Sequence, residues 1–68
     1  MQIKFNLKKI RMEKQISQNE LAKLANVSIG TIVRMEQKQI QGVSFITILK
    51  ISKVLNISIY EIFDFIDL

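Results

Sequence analysis

Residues 16–36 read ISQNELAKLANVSIGTIVRME, and their caps and apolar spacing decide the fold. Ser17 stands three residues ahead of Glu20, so its hydroxyl can accept a first-turn N–H while the carboxylate reaches back to the Ser17 amide, a reciprocal pair that starts a helix. Leu21, Leu24 and Ala25 then recur at helical spacing on one face. Asn26 falls where a left-handed residue ends a helix, usually Gly but tolerably Asn. Ser28 is placed to cap a second helix, in which Ile32 and Met35 continue the buried stripe while Ile29, Gly30, Val33 and Arg34 turn to other faces. Two short helices joined by a tight turn are the expectation.

Outward from this stretch, the spacing predicts a first helix over 7–14, with Asn6 as its cap and Leu7, Ile10 and Arg11 facing inward. A fourth, over 45–55, is capped by Ser44 and places Phe45, Ile48, Leu49 and Leu55 at buried spacing. A fifth starts after Ser58, with Glu61 completing another capping box and Ile62 and Phe63 facing inward. LANVSIGTI at 24–32 and VLNISIYEI at 54–62 share one order of Asn, apolar residue, Ser and Ile. A single echo without a sustained period is turn chemistry used twice, not a repeat architecture. At the ends, Ile3 and Phe5 alternate with Gln2 and Lys4, and Phe63 and Phe65 flank Asp64, a pattern of short strands. A two-stranded ribbon is marginal in water, so it would have to lie on the helices or pair across a dimer; disordered or helical ends fit the pattern equally.

Composition narrows the class. A chain of 68 residues makes one domain, taken here as 1–68, with a small core. With 49% hydrophobic residues, two Gly and no Pro it reads as compact and helical. No Cys and no His remove disulfides and the usual zinc ligands, so neither a metal nor a cofactor is expected. Apolar runs such as 43–49 are far short of the roughly 20 residues that span a bilayer, and the start of the chain has no signal-peptide apolar region. The expectation is a cytoplasmic protein without a membrane partner. Asn26-Val27-Ser28 and Asn56-Ile57-Ser58 match the glycosylation pattern formally, but read better as a helix end followed by a cap. An enzyme is not expected either, since there is no His, Cys or glycine-rich phosphate loop and the acidic residues of residues 1–57 lie apart.

Charge is segregated along the chain. Residues 1–57 hold all ten basic residues against Glu13, Glu20 and Glu36, a net of +7, whereas residues 58–68 hold only Glu61, Asp64 and Asp67. A basic body attracts phosphates through counterion release, and an acidic tail is repelled by them.

The stretch at 16–36 resembles the Cro/C1-type (XRE) helix-turn-helix family of phage repressors and small bacterial regulators, and the likeness runs from about Leu7 to Phe63. It is carried by Leu7, Ile10 and Arg11, then by Gln18, Glu20, Leu21, Ala22, Val27, Ser28, Ile32, Arg34 and Glu36. Beyond the motif, Ser44, Leu49, Val54, Leu55, Asn56, Ile57, Ser58 and Phe63 continue it. Two departures are Asn26 in place of the turn Gly and a loop at 37–43 that strays from the family's Gly and Pro pattern.

The resemblance implies an all-α, compact five-helix lambda-repressor-like DNA-binding domain, with short terminal strands as an addition, and the helix-turn-helix motif at 17–37. It also implies sequence-specific binding of a double-stranded DNA operator by a transcriptional regulator, a repressor in the absence of any activation or effector domain. The helix over 28–37 would read the major groove, with its N-terminal turn nearest the bases. Ser28, Ile29, Gly30, Thr31, Val33 and Arg34 are the expected contacts. Arg34 suits guanine O6 and N7, and the apolar side chains suit a thymine methyl. Gly30 costs roughly 1 kcal/mol in a helix relative to Ala, which a close approach to DNA or to another helix would explain. Gln18 and Asn19, in the first turn of their helix, are expected at a phosphate, as is Lys38 just after the recognition helix. Lys8, Lys9, Lys14 and Lys23 read as solvated. By the same resemblance, Arg11 pairs with Glu36 in a structural ion pair.

A two-fold homodimer is expected, with Phe65, Ile66 and Leu68 as its contact. Packing of these residues against Ile3 and Phe5 of the same chain is the alternative. The runner-up function is a protein-interaction module, such as an antitoxin or an anti-repressor-like partner, favoured by the apolar Ile29 and Val33. No small-molecule effector is evident in the sequence.

Overall fold

In a computed structural model of the chain, residues 2–37 and 42–66 are described. The order is strand β1 (Gln2–Phe5), helices α1 (Leu7–Glu13), α2 (Gln18–Ala25), α3 (Ile29–Glu36) and α4 (Phe45–Leu55), a 3-10 helix (Ile59–Ile62) and strand β2 (Phe63–Ile66). Every apolar stripe converges on one core. Leu7, Leu21, Ile32, Met35, Ile51, Leu55 and Ile62 are fully buried, so each α-helix and the 3-10 helix contribute at least one. Burying a side chain of this size contributes about 2 kcal/mol, which is how helices of seven to eleven residues hold together when none would persist alone.

Caps set the helix starts. Ser17, Ser28 and Ser44 are all extended and accept the N–H of Glu20, Thr31 and Thr47 respectively. At Ser17 the return bond from its own N–H to Glu20 is present at 3.4 Å. Asn6 differs from expectation: its side chain caps nothing, and its N–H donates to the Ile62 carbonyl at 2.6 Å, making it a joint between the N-terminal strand and the 3-10 helix.

The chain has four α-helices among the described residues, not five. The segment after Ser58 makes one 3-10 turn and then extends, because Phe63 and Phe65 find a strand partner that outcompetes further helix. β1 and β2 pair antiparallel, with Ile3 opposite Phe65 and Phe5 opposite Phe63. One ribbon face is therefore apolar, and Phe5 on it is buried in the helical core. The Phe5 and Phe63 rings stack at 5.5 Å, and Phe65 follows Phe63 at 6.1 Å. The fold is thus mainly helical with a two-stranded ribbon, and the C-terminal strand lies on its own N-terminus.

Two expected core residues lie outside. Leu24 is 64% exposed and Phe45 63%, while Ala22, Ile51 and Ser52 are buried in their stead. In both helices the buried stripe is rotated by about one residue from the expected one. Leu49 is half-buried. Ser52 tolerates burial because its hydroxyl donates to the Ile48 carbonyl at 2.8 Å. No described helix is long and apolar enough to cross a membrane.

Candidate nucleic-acid interface

The junction of α2 and α3 is built from two local devices. Asn26 adopts the left-handed conformation, φ 56° and ψ 48°, and its N–H returns to the end of α2. Ser28 then resumes extended backbone, φ −72° and ψ 148°, accepting the Thr31 N–H at 3.2 Å while the Ser28 and Thr31 hydroxyls bond at 2.8 Å. Val27 between them packs on the core, so the turn is fixed from inside as well.

Ile32 and Met35 anchor α3 inward and leave the opposite side to solvent. On that side Ile29 is 41% and Val33 36% exposed, alongside exposed Ser28, Gly30 and Arg34 and half-buried Thr31. Ile29 therefore lies outside the core, as its place in the helix predicts. A Cβ placed at Gly30 would meet only Ser28 Oγ at 3.9 Å, so nothing among the described residues requires Gly there. Arg34 donates from Nη2 to the Gly42 carbonyl at 3.1 Å. Gly42 has φ +80°, which a side chain would strain, and its Cβ would lie 3.4 Å from that same guanidinium.

Beneath this surface lies a charged network. Arg11 donates from Nε to Glu36 Oε2 at 2.6 Å and from Nη2 to Oε1 at 3.1 Å, a two-pronged pair tying α1 to the end of α3. Nη1 of the same guanidinium donates to the Ile16 carbonyl at 2.8 Å, just before α2. Gln18 Nε2 adds a bond to Glu36 Oε1 at 3.0 Å. One carboxylate thereby fixes three helices relative to one another. The side chains of Arg11 and Glu36 are only 13% and 5% exposed, and the hydrogen bonds that Arg11 donates to Glu36 raise the Arg11 pKa, with burial opposing and charge attraction adding.

Of the expected site residues, Ser28, Ile29, Gly30, Thr31, Val33 and Arg34 share α3 and its cap, and Asn19 is exposed in the first turn of α2. Gln18 sits beside it, but its amide N–H points to Glu36. Lys38 lies outside the described residues. Lys8, Lys9, Lys14 and Lys23 are exposed. The sequence reading missed the Ile16 and Gly42 carbonyls, since backbone acceptors carry no residue-type signal. Among the described residues, no group of three or more His, Cys, Asp or Glu is placed to hold a metal ion.

Two short helices joined by a left-handed Asn and a Ser cap, with the second laid open along one side, define a helix-turn-helix domain. The family model of the Cro/C1-type HTH DNA-binding domain matches residues 6–67, nearly all of the chain, and the chain belongs to that family. No curated protein matches it. Membership supports DNA binding and a part in the regulation of transcription.

Proposed function

We propose that the protein is a cytoplasmic repressor that binds a specific double-stranded DNA operator through α3, working as a two-fold homodimer. The carrying observation is the open side of α3: a small residue at Gly30, apolar Ile29 and Val33, and one long cation at Arg34, on a helix held rigid from behind by Arg11 and Glu36. Gly30 lets the helix approach base edges, Ile29, Val33 and the Thr31 methyl meet thymine methyls, and Arg34 takes guanine. Ser28 and Asn19 meet the flanking backbone, together with Gln18 through the second N–H of the amide nitrogen that also donates to Glu36, and Lys38 serves as a further phosphate contact. One such helix discriminates by a few kcal/mol, short of the roughly 4–10 that specific regulators reach over non-specific DNA, so two half-sites are required.

Exposed Ile29 and Val33 also favour a second reading, in which α3 meets a protein. Salt separates the two, because DNA binding weakens steeply with added salt and an apolar protein interface does not. Selection from a random duplex pool should recover a two-fold symmetric site. Arg34→Ala should then lower operator affinity by about 1–3 kcal/mol and relax preference at one base pair per half-site. Equal loss on operator and random DNA would make Arg34 a backbone contact instead.

A further inference from the structure

A long side chain that reads a base edge loses rotamer freedom on binding, and the loss weakens the contact unless something holds the side chain beforehand. Arg34 is exposed on α3, yet its Nη2 donates to the Gly42 carbonyl at 3.1 Å, eight residues along the chain. Gly42 is one of only two glycines, and the two differ. An added Cβ at Gly30 finds open space apart from Ser28 Oγ, whereas at Gly42 it would stand 3.4 Å from Arg34 Nη2, 3.8 Å from Cζ and 4.0 Å from Nη1. The end of the Arg34 guanidinium thus lies against the bare α-carbon of Gly42.

We propose that Gly42 is a positioning residue for base reading: its carbonyl and bare α-carbon seat the Arg34 guanidinium in the free protein, with a two-pronged edge left open for guanine. The proposal rests on the operator-binding reading above. A guanidinium carries five N–H donors in a rigid fork, two of them on Nη2. The Gly42 carbonyl takes one of that pair. The other still lies parallel to a neighbouring N–H, on Nε or on Nη1, and either combination presents the parallel donors that guanine O6 and N7 accept.

The acceptor is itself held in place. Val43, next along, packs on the core, and Ser44 is extended and caps α4 through the Thr47 N–H, so the backbone that carries the Gly42 carbonyl is fixed from the α4 side. A side chain at position 42 would therefore do two separable things. It would strain a backbone at φ +80°, and it would displace the guanidinium. Asn relieves the first, as Asn26 and Asn56 do at φ 56° and 54°, but its Cβ still falls where the guanidinium lies.

Duplex binding by the full chain tests this, with the operator recovered by selection and the same duplex changed at the base pair where Arg34→Ala loses preference. Gly42→Asn should lower operator affinity roughly two- to tenfold, the scale of ordering one flexible side chain, and leave affinity for the changed duplex level. In an Arg34→Ala background the same substitution should alter neither, because no guanidinium remains to be placed. Gly42→Ala should match Gly42→Asn in base preference and fall below it in stability. Wild-type preference in Gly42→Asn overturns the proposal, as does an equal loss with and without Arg34, which would make Gly42 a matter of loop path. The free protein is the second arm. Nitrogen relaxation of the Arg34 Nε–H should show an ordered group in the wild type and a loosened one in Gly42→Asn, with helical circular dichroism retained in both. Equal mobility in the two also overturns the proposal. An Arg34 held by Gly42 in a chain that selects no duplex supports the seat and defeats the operator reading.

Discussion

The two turns at Asn26-Val27-Ser28 and Asn56-Ile57-Ser58 are nearly superposable in conformation and lead to opposite outcomes. Asn26 and Asn56 have φ/ψ of 56°/48° and 54°/48°, and the serines that follow have −72°/148° and −74°/156°. Val27 and Ile57 each donate to a carbonyl five residues back, at 3.0 and 3.1 Å. Yet the first turn opens an eight-residue α-helix, and the second a four-residue 3-10 helix that runs into a strand. The turn sets where an element starts. What continues it is decided by distant partners: the core and Arg11 receive α3, whereas β1 receives the segment after Ile62.

Removing the distant partner of the first arm should have the largest effect. Glu36→Ala leaves the Arg11 guanidinium without its carboxylate and should cost about 3 kcal/mol. For a domain of this size the melting temperature should fall by roughly 10–20 °C. An unchanged melting temperature would mean that the pair merely decorates the fold. Because Glu36 raises the pKa of an already alkaline group, the Arg11 contribution is complete below the unfolded-state value and is lost only as pH climbs through the higher folded one. It therefore stays level across neutral pH.

Asn26→Ala and Asn56→Ala should each cost about 1 kcal/mol, since a β-carbon is disfavoured at positive φ without the Asn side chain's local bonding. The informative result is their equality. Denaturant melts in which one costs well over twice the other would show that the shared geometry hides different strain. Gly30→Ala is the smallest effect and opposite in sign: a gain of about 0.5 kcal/mol by helix propensity, because the space beside it is open. Operator affinity should not rise with it, and Gly30→Leu should abolish binding. Wild-type affinity in Gly30→Leu would rule out close approach of α3 to the bases.

The starts of elements were legible because they depend on neighbours in sequence. Ser17, Ser28 and Ser44 cap as their spacing implied, and α4 runs over the residues expected. Which face is buried depends on what lies across from it, and there the reading of Leu24 and Phe45 failed. In α4 apolar residues go nearly all round, so periodicity selected one of several faces, and Ser52 disguised the true one. The strand was suggested by alternation at both ends, but its competition with a fifth helix was resolved only by the pairing of Phe5 with Phe63. At the site, the α3 residues follow from helix geometry, while the bond of Gln18 to Glu36 and of Arg34 to Gly42 joins atoms remote in sequence.

The ribbon joins Gln2 to Ile66 and so closes nearly the whole chain into one loop. Contacts among α2, α3 and α4 span far shorter stretches, and closure entropy rises with loop length. Pairing of the two ends therefore carries the largest closure entropy in the fold. Ile3 and Phe65 stand on opposite strands of the ribbon and, with Phe45, Ile59, Tyr60 and Phe63, line a groove of about 370 Å³ that exists only while the chain ends are joined. Anything bound in that groove would bind the closed chain alone and so favour the joined state of the two ends.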